Sequence, residues 1–274
     1  MKGILLSLRQ RYSYSLIILK QLVITDFKLR YKGSALGYVW TLLKPLALFA
    51  VMYVVFVRFL KFGASVPHFA VSLLLGTVMW NFFTEATMNG MTAIVGRGDL
   101  MRKLYFPRYV VVFSAVAAAV INLAINLLVV FFFIVVNGVS ITWHALLIIP
   151  IIMEITVIAL GVALLLGALY VRLRDVNYIW ELVLQAGFFA TPIFYPISTV
   201  ANVSALLAKL MMLNPLAQII QDARWSLIGS STPTVWSMFS HGLIALIPYV
   251  IVAGIFVAGA TYFRQKSPNF AEEV

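Results

Sequence analysis

Long apolar runs separated by short charged islands set the pattern of this chain. Six runs reach the roughly 20 mostly apolar residues that a helix needs to cross a bilayer. They are Ala35 to Leu60, Phe69 to Ala93, Tyr109 to Val136, Ala145 to Val171, Tyr178 to Pro196 and Gly242 to Phe263. Their apolar positions are continuous rather than alternating, so they predict helices and not strands of a membrane barrel. Two stretches depart from this rhythm. Ser15 to Lys32 places Gln21, Thr25, Lys28 and Lys32 at helical spacing on one face and Leu16, Leu19, Val23, Phe27 and Tyr31 on another, which predicts an amphipathic helix lying in the headgroup layer. Ser198 to His241 holds two apolar pieces too short to span, Ala205 to Leu213 and Ala217 to Ile228, parted by Asn214-Pro215. Two readings fit this pair: a re-entrant hairpin, or a surface loop with two partly buried helices.

The pattern predicts an all-α integral membrane protein with a single domain over residues 1–274. Residues 1–34 form the interfacial helix, 35–196 spans one to five, 197–241 the re-entrant region, 242–263 span six and 264–274 a tail. Composition agrees: 63% of the residues are hydrophobic and only 11% charged, a balance that a soluble domain does not carry. The formal charge of +11 would suggest nucleic acid in a soluble protein. Here no soluble basic domain exists to bind it, and the charges follow the loops instead. Fifteen of the 20 Lys and Arg fall before span one, after spans two and four, or after span six, which predicts that both termini are cytoplasmic. The chain has no cysteine, and His68, His144 and His241 make no metal-ligand pattern, so neither disulfides nor a metal site are expected.

Candidate chemistry is sparse, with no HExxH, GxSxG or phosphate-loop motif and no aspartate pair. In span two, Thr77, Asn81, Glu85, Asn89 and Thr92 share a helix face. A carboxylate at a span centre must face protein or water, so the stripe reads either as the wet wall of a polar-substrate path or as hydrogen bonding between helices. In span three, Ser114, Ala118, Asn122 and Asn126 repeat at four and predict close helix packing. Span five ends in GFFATPIFYP, where Phe188, Phe189, Phe194 and Tyr195 crowd together. They fit a path for sugar rings, whose C–H faces are apolar, and equally an aromatic belt at the membrane boundary. Between spans two and three, RGDLMRKLYFPRY puts Asp99 ahead of Arg102 and Lys103, with Leu100, Met101, Leu104 and Tyr105 on the apolar side and Pro107 at the end. This charge order suits a helix dipole, and an amphipathic turn of this kind suits a groove on another protein.

Five stretches taken in order resemble the membrane subunits of ABC-2 type polysaccharide exporters, which move O-antigen, capsular polysaccharide, teichoic acid or related glycans. These are RYKGSALGYVWTLLKPL at Arg30 to Leu46, RKLYFPR at Arg102 to Arg108, VRLRDVNYIWELVLQAGFFATPIFYP at Val171 to Pro196, LNPLAQIIQDAR at Leu213 to Arg224 and FAEEV at Phe270 to Val274. The resemblance implies a non-enzymatic transport subunit of the bacterial inner membrane that pairs with a second copy of itself and with two separate nucleotide-binding ATPase subunits. ATP and Mg would be bound by those partners, and no cofactor by this chain. Asp99, Leu100, Met101, Arg102, Lys103, Leu104, Tyr105, Pro107 and Arg108 would form the ATPase-coupling helix. Trp40, Asn81, Glu85, Phe188, Phe189, Phe194 and Tyr195 would line the path of a lipid-linked glycan. Two other readings stand beside it: an ABC-2 exporter of drugs or small lipids, and a secondary flippase working without ATP on intramembrane acids such as Glu85 and Glu154. An intramembrane glycosyltransferase is disfavoured for want of a carboxylate constellation suited to sugar chemistry.

Overall fold

The computed structural model describes residues 16–25, 39–61, 66–99, 106–229, 232–239 and 242–270. Among them every regular element is helical, as backbone without water to bond must satisfy itself internally. The elements are α1 (Leu16–Thr25), α2 (Val39–Met52), α3 (Phe69–Thr92), α4 (Tyr109–Val136), α5 (Ile148–Arg172), α6 (Val176–Ala190), α7 (Ile197–Val203), α8 (Ala205–Met212), α9 (Pro215–Leu227), α10 (Val235–Met238), α11 (Gly242–Ala245) and α12 (Ile247–Lys266). A π-helical segment, Tyr53–Phe59, lengthens α2, and a 3-10 turn, Trp143–Leu147, leads into α5.

Five helical stretches are long and apolar enough to cross a membrane: Val39–Phe59, Phe69–Thr92, Tyr109–Val136, Trp143–Arg172 and Gly242–Asn269. They match five of the six predicted runs. The remaining one, expected over Tyr178 to Pro196, is helical only in α6, whose 15 residues reach about 22 Å against a hydrocarbon core of about 30 Å. Pro192 accounts for the shortfall. Its ring excludes the preceding residue from the helical region, and Thr191 is extended at φ −97° and ψ 137°. The turns that would complete a span are thereby replaced by irregular chain over residues 191–195.

Helix α3 is the hub, buried along most of its length and packed against α4, α5, α9, α2 and α6. Small residues set the helix spacing around α5. A Cβ on Gly259 of α12 would lie 2.1 Å from the Gly161 carbonyl oxygen, and one on Gly90 of α3 would lie 2.6 Å from Ala163 Cβ. In lipid, where apolar association has little driving force, such close backbone approach supplies the packing. The face of α4 predicted to pack does so, with Ser114, Ala118 and Asn122 buried.

Two expectations are refined. Helix α1 turns Ile18, Leu19 and Leu22 toward the core, whereas Leu16, assigned to its apolar face, is 63% exposed; residues 26–32 lie outside the described residues. Helix α9 is no surface element, since 11 of its 13 residues are buried, so the surface-loop reading of this helix does not hold. The N-cap Asn214 side chain accepts from Leu216 N–H at 3.0 Å and Pro215 takes the first helical position, which fixes where α9 begins.

Replacing Gly259 by Ala should lower the apparent melting temperature of the purified chain, by overpacking worth about 1–3 kcal/mol. Gly254→Ala, on the same helix with nothing within 4 Å of its added Cβ, should be neutral or slightly stabilising; thermal unfolding of the two variants side by side checks this.

Candidate functional site

The polar stripe of α3 divides in two. Thr77 and Thr92 turn their hydroxyls into the helix, donating to Leu73 O at 2.8 Å and Met88 O at 3.1 Å. Asn81, Glu85 and Asn89 instead face a cavity of about 630 Å³ between α2, α3 and α4. From α2 it receives Trp40, Thr41 and Lys44, and from α4 Asn122 and Asn126. The structure thus gathers Trp40, Asn81 and Glu85 at one site and adds residues that the sequence had assigned elsewhere or left aside. Asn122 Nδ2 donates to Glu85 Oε1 at 2.6 Å, while Asn122 Oδ1 is buried without a hydrogen-bond partner, as is Thr84 Oγ1. Asn126 Nδ2 donates to Asn122 O at 2.8 Å. Amides, a carboxylate, an ammonium and one indole face therefore converge on a single concave space, with Leu48, Val78, Phe82 and Met88 as its apolar floor. Such a mixture suits a ligand carrying many hydroxyls and an apolar face.

The aromatic residues at the end of α6 form a separate group. Phe188, Phe189, Phe194 and Tyr195 stack edge and face on one another at centroid separations of 4.9–5.9 Å. Phe194 also meets Phe56 from the π-helical segment at 4.7 Å, and Phe188 meets Trp80 of α3 at 5.9 Å. None of the four lines the α2–α3–α4 cavity. Tyr195 O–H donates to Phe189 O at 3.1 Å, so its hydroxyl helps close the broken end of α6. Gly187 lets the cluster seat, because a Cβ there would come within 2.9 Å of the Trp80 ring.

Arg224 holds this end together, a residue that the sequence singled out only as the end of the LNPLAQIIQDAR stretch. It is 3% exposed. Its Nε donates to Ser72 O at 3.1 Å, Nη1 to Pro192 O at 2.7 Å and Nη2 to Ile193 O at 2.7 Å, with Gln221 Oε1 3.3 Å from Nη1. The guanidinium thus supplies donors that the irregular chain after α6 lacks, and it joins α9 to α3. Burial lowers its pKa to about 10, which still leaves it charged at neutral pH. Gly76 leaves the space, since a Cβ at this position would lie 2.8 Å from Nη2.

At the opposite ends of α3 and α4 lies the charged island. Leu100, Met101, Arg102, Lys103, Leu104 and Tyr105 are outside the described residues. Asp99 is exposed where the description stops. Phe106 is buried where it resumes. Arg97 Nη1 donates to Ser114 Oγ at 3.2 Å and Val111 O at 3.4 Å, and Arg108 Nη1 donates to Ser267 O in the turn after α12. Both flanks of the island are therefore tied to the bundle. Phe270 reinforces the second tie, 1% exposed and edge-on to Phe263 at 5.3 Å. Among the described residues no three His, Cys, Asp or Glu side chains are grouped to hold a metal.

Arg224→Lys should fail to rescue what Arg224→Leu breaks, because a single ammonium cannot reach three carbonyls held in a fork. Both variants should lose about 3 kcal/mol or more, read as a drop in the thermal midpoint of the detergent-solubilised chain.

Comparison with known proteins is consistent with this geometry. The family described as ABC-2 type transporter matches residues 18–228. An "O-antigen export system permease protein RfbA" from Myxococcus xanthus is 28% identical over 270 residues, covering 97% of this chain and 98% of that protein. Two proteins of the same name from Klebsiella pneumoniae are each 27% identical, over 274 and 276 residues, covering 97% of this chain and 99% of theirs.

Proposed function

The chain belongs to the ABC-2 type transporter family, and from that membership we propose that it is the membrane-spanning subunit of an ATP-driven exporter of a lipid-linked polysaccharide. The glycan is of the O-antigen, capsule or teichoic acid kind, carried from the cytoplasm across the bacterial inner membrane. The observation that carries this reading is the likeness, along almost the whole chain, to permeases named for O-antigen export. A short motif shared by chance would not extend over 97% of the sequence.

The work is divided by chemistry. ATP and Mg are bound by two separate ATPase subunits, and the amphipathic island from Asp99 to Arg108 seats in them. Arg97 and Arg108 join that island to α4 and to the end of α12, so a displacement of the island is passed to packed helices rather than absorbed by loose chain. Two copies of the chain enclose the glycan path. The apolar residues that α2 and α6 leave exposed, among them Val51, Phe59, Tyr178 and Leu182, are available to the second copy and to lipid. Within each copy the α2–α3–α4 cavity offers amides and Glu85 to sugar hydroxyls and Trp40 to a sugar face, while Phe188, Phe189, Phe194 and Tyr195 stand nearer the outer end. The basic residues Arg97, Arg108, Arg172, Arg174, Arg264 and Lys266 all sit at helix ends or their flanks, which supports a cytoplasmic position for that end and for both termini.

Changing Arg102 and Lys103 together to Glu should abolish stimulation of the partner ATPase and export while leaving the chain in the membrane; unchanged stimulation and export would sink the docking role. Trp40→Ala and Phe194→Ala should each lower glycan export severalfold at unchanged amounts of complex on native gels. An equal loss of complex would instead make these side chains structural. Trp40 is half exposed, so its truncation leaves the core intact.

A further inference from the structure

Three helices bring their polar groups together on the side of α9 away from the Arg224 guanidinium. Glu154 comes from α5, Gln218 and Asp222 from α9, and Tyr249 from α12. Gln218 Nε2 donates to Asp222 Oδ2 at 2.6 Å, the Tyr249 hydroxyl donates to the same oxygen at 3.1 Å, and Trp236 Nε1 donates to Tyr249 Oη at 3.2 Å. Glu154 lies within electrostatic range of the Gln218 amide and of Asp222. Gln218 is wholly buried.

Donors and acceptors do not balance there. Glu154 Oε1, Asp222 Oδ1 and Gln218 Oε1 are all buried and all lack a hydrogen-bond partner. Every one is an acceptor, so the deficit is of positive hydrogen. Two ionised carboxylates beside one amide in a medium of low polarity repel each other and lose their hydration. No basic side chain among the described residues offers a hydrogen bond to either. His144 meets Trp225 edge-on, on the same stripe of α9 as Gln218 and Asp222, but its Nδ1 pairs with Thr142 Oγ1 at 3.1 Å, and Arg224 is bound to the carbonyls of Ser72, Pro192 and Ile193. Gln218, Asp222 and Tyr249 are already in hydrogen-bond contact, and a proton is the one positive species that needs no extra room.

We propose that Glu154 and Asp222 form a proton-binding pair that retains one proton at neutral pH, and that this proton fastens α9 to α5 and α12. It is a site distinct from the glycan path and from the coupling island. Burial pushes the Asp222 carboxyl above its ordinary range, against the pull of its Gln218 and Tyr249 hydrogen bonds. The folded chain therefore keeps a proton that the unfolded chain has released. Stabilisation by that proton is complete below the ordinary carboxylate range and is lost as pH rises through the titration of the folded pair.

The test is thermal unfolding of the full-length chain in lipid nanodiscs at about pH 5.5, 7 and 8.5, for wild type, Glu154→Gln and Asp222→Asn. The wild-type midpoint should fall by several degrees toward the alkaline end. Each amide variant, which mimics the protonated acid, should flatten that slope and match or exceed wild type at the alkaline end. A wild-type midpoint indifferent to pH, or the same slope in both variants, would overturn the proposal. So would stabilisation of wild type, but not of Glu154→Gln, by sodium or calcium chloride against choline chloride of equal ionic strength, because that outcome makes the pair a metal site. Should neither variant fold, the infrared carbonyl stretch of a protonated carboxyl group in wild type at neutral pH decides. Its presence there and loss on raising the pH support the pair, and its absence refutes it.

Discussion

A charged guanidinium bound to backbone carbonyls is the contact on which one whole end of this bundle rests. Helix α6 stops at Ala190 because Thr191-Pro192 cannot continue it, and the carbonyls beyond that break have no helical donors. Arg224 meets Pro192 O and Ile193 O from α9 and reaches Ser72 O in the first turns of α3. Three consequences follow: α9 is drawn into the core, the aromatic cluster after α6 is held against Phe56 and Trp80, and the start of α3 is fixed relative to both. Gly76 is the complementary concession, a helix position left bare so that the guanidinium fits.

The same logic explains why functional chemistry is sparse and clustered. Every polar side chain inside the spans must find a partner or a cavity, and the helices place the available ones in few locations. Glu85 with Asn81, Asn89, Asn122 and Asn126 forms the polar cavity. Glu154 with Gln218, Asp222 and Tyr249 forms the acidic cluster near α9. The two lie among different sets of three helices, one between α2, α3 and α4 and the other between α5, α9 and α12. A substrate-facing role for the first therefore leaves the second free for holding α9.

Much of the fold was legible in the chain because a span announces itself through length and apolar continuity alone, as α3, α4, α5 and α12 do. The helix periodicity of Asn81, Glu85 and Asn89 likewise identified a face, and the structure supplies its counterpart on α4. What could not be read are features whose partners carry no mark in the sequence. Arg224 bonds to carbonyls, which every residue possesses, so no spacing in the sequence marks its partners. Glu154 and Asp222 are 68 positions apart in a chain without visible repeats, so no spacing rule joins them. The end of α6 was misjudged for a local reason: apolar content ran through Thr191-Pro192, whereas backbone conformation did not.

On the proposed function, the glycan passes along the polar cavity of this chain while its partners turn over ATP. The chain has no cysteine of its own, so a photoreactive probe can be attached to single cysteines placed at Asn126, inside the cavity, and at Leu128, 70% exposed on the same helix and outside the cavity. Crosslinking to labelled lipid-linked glycan in vesicles containing the partner ATPase, with and without ATP, measures the claim directly. ATP-dependent crosslinks are expected from position 126 and few from position 128; equal labelling from both, or none from 126 during active export, would rule out that path.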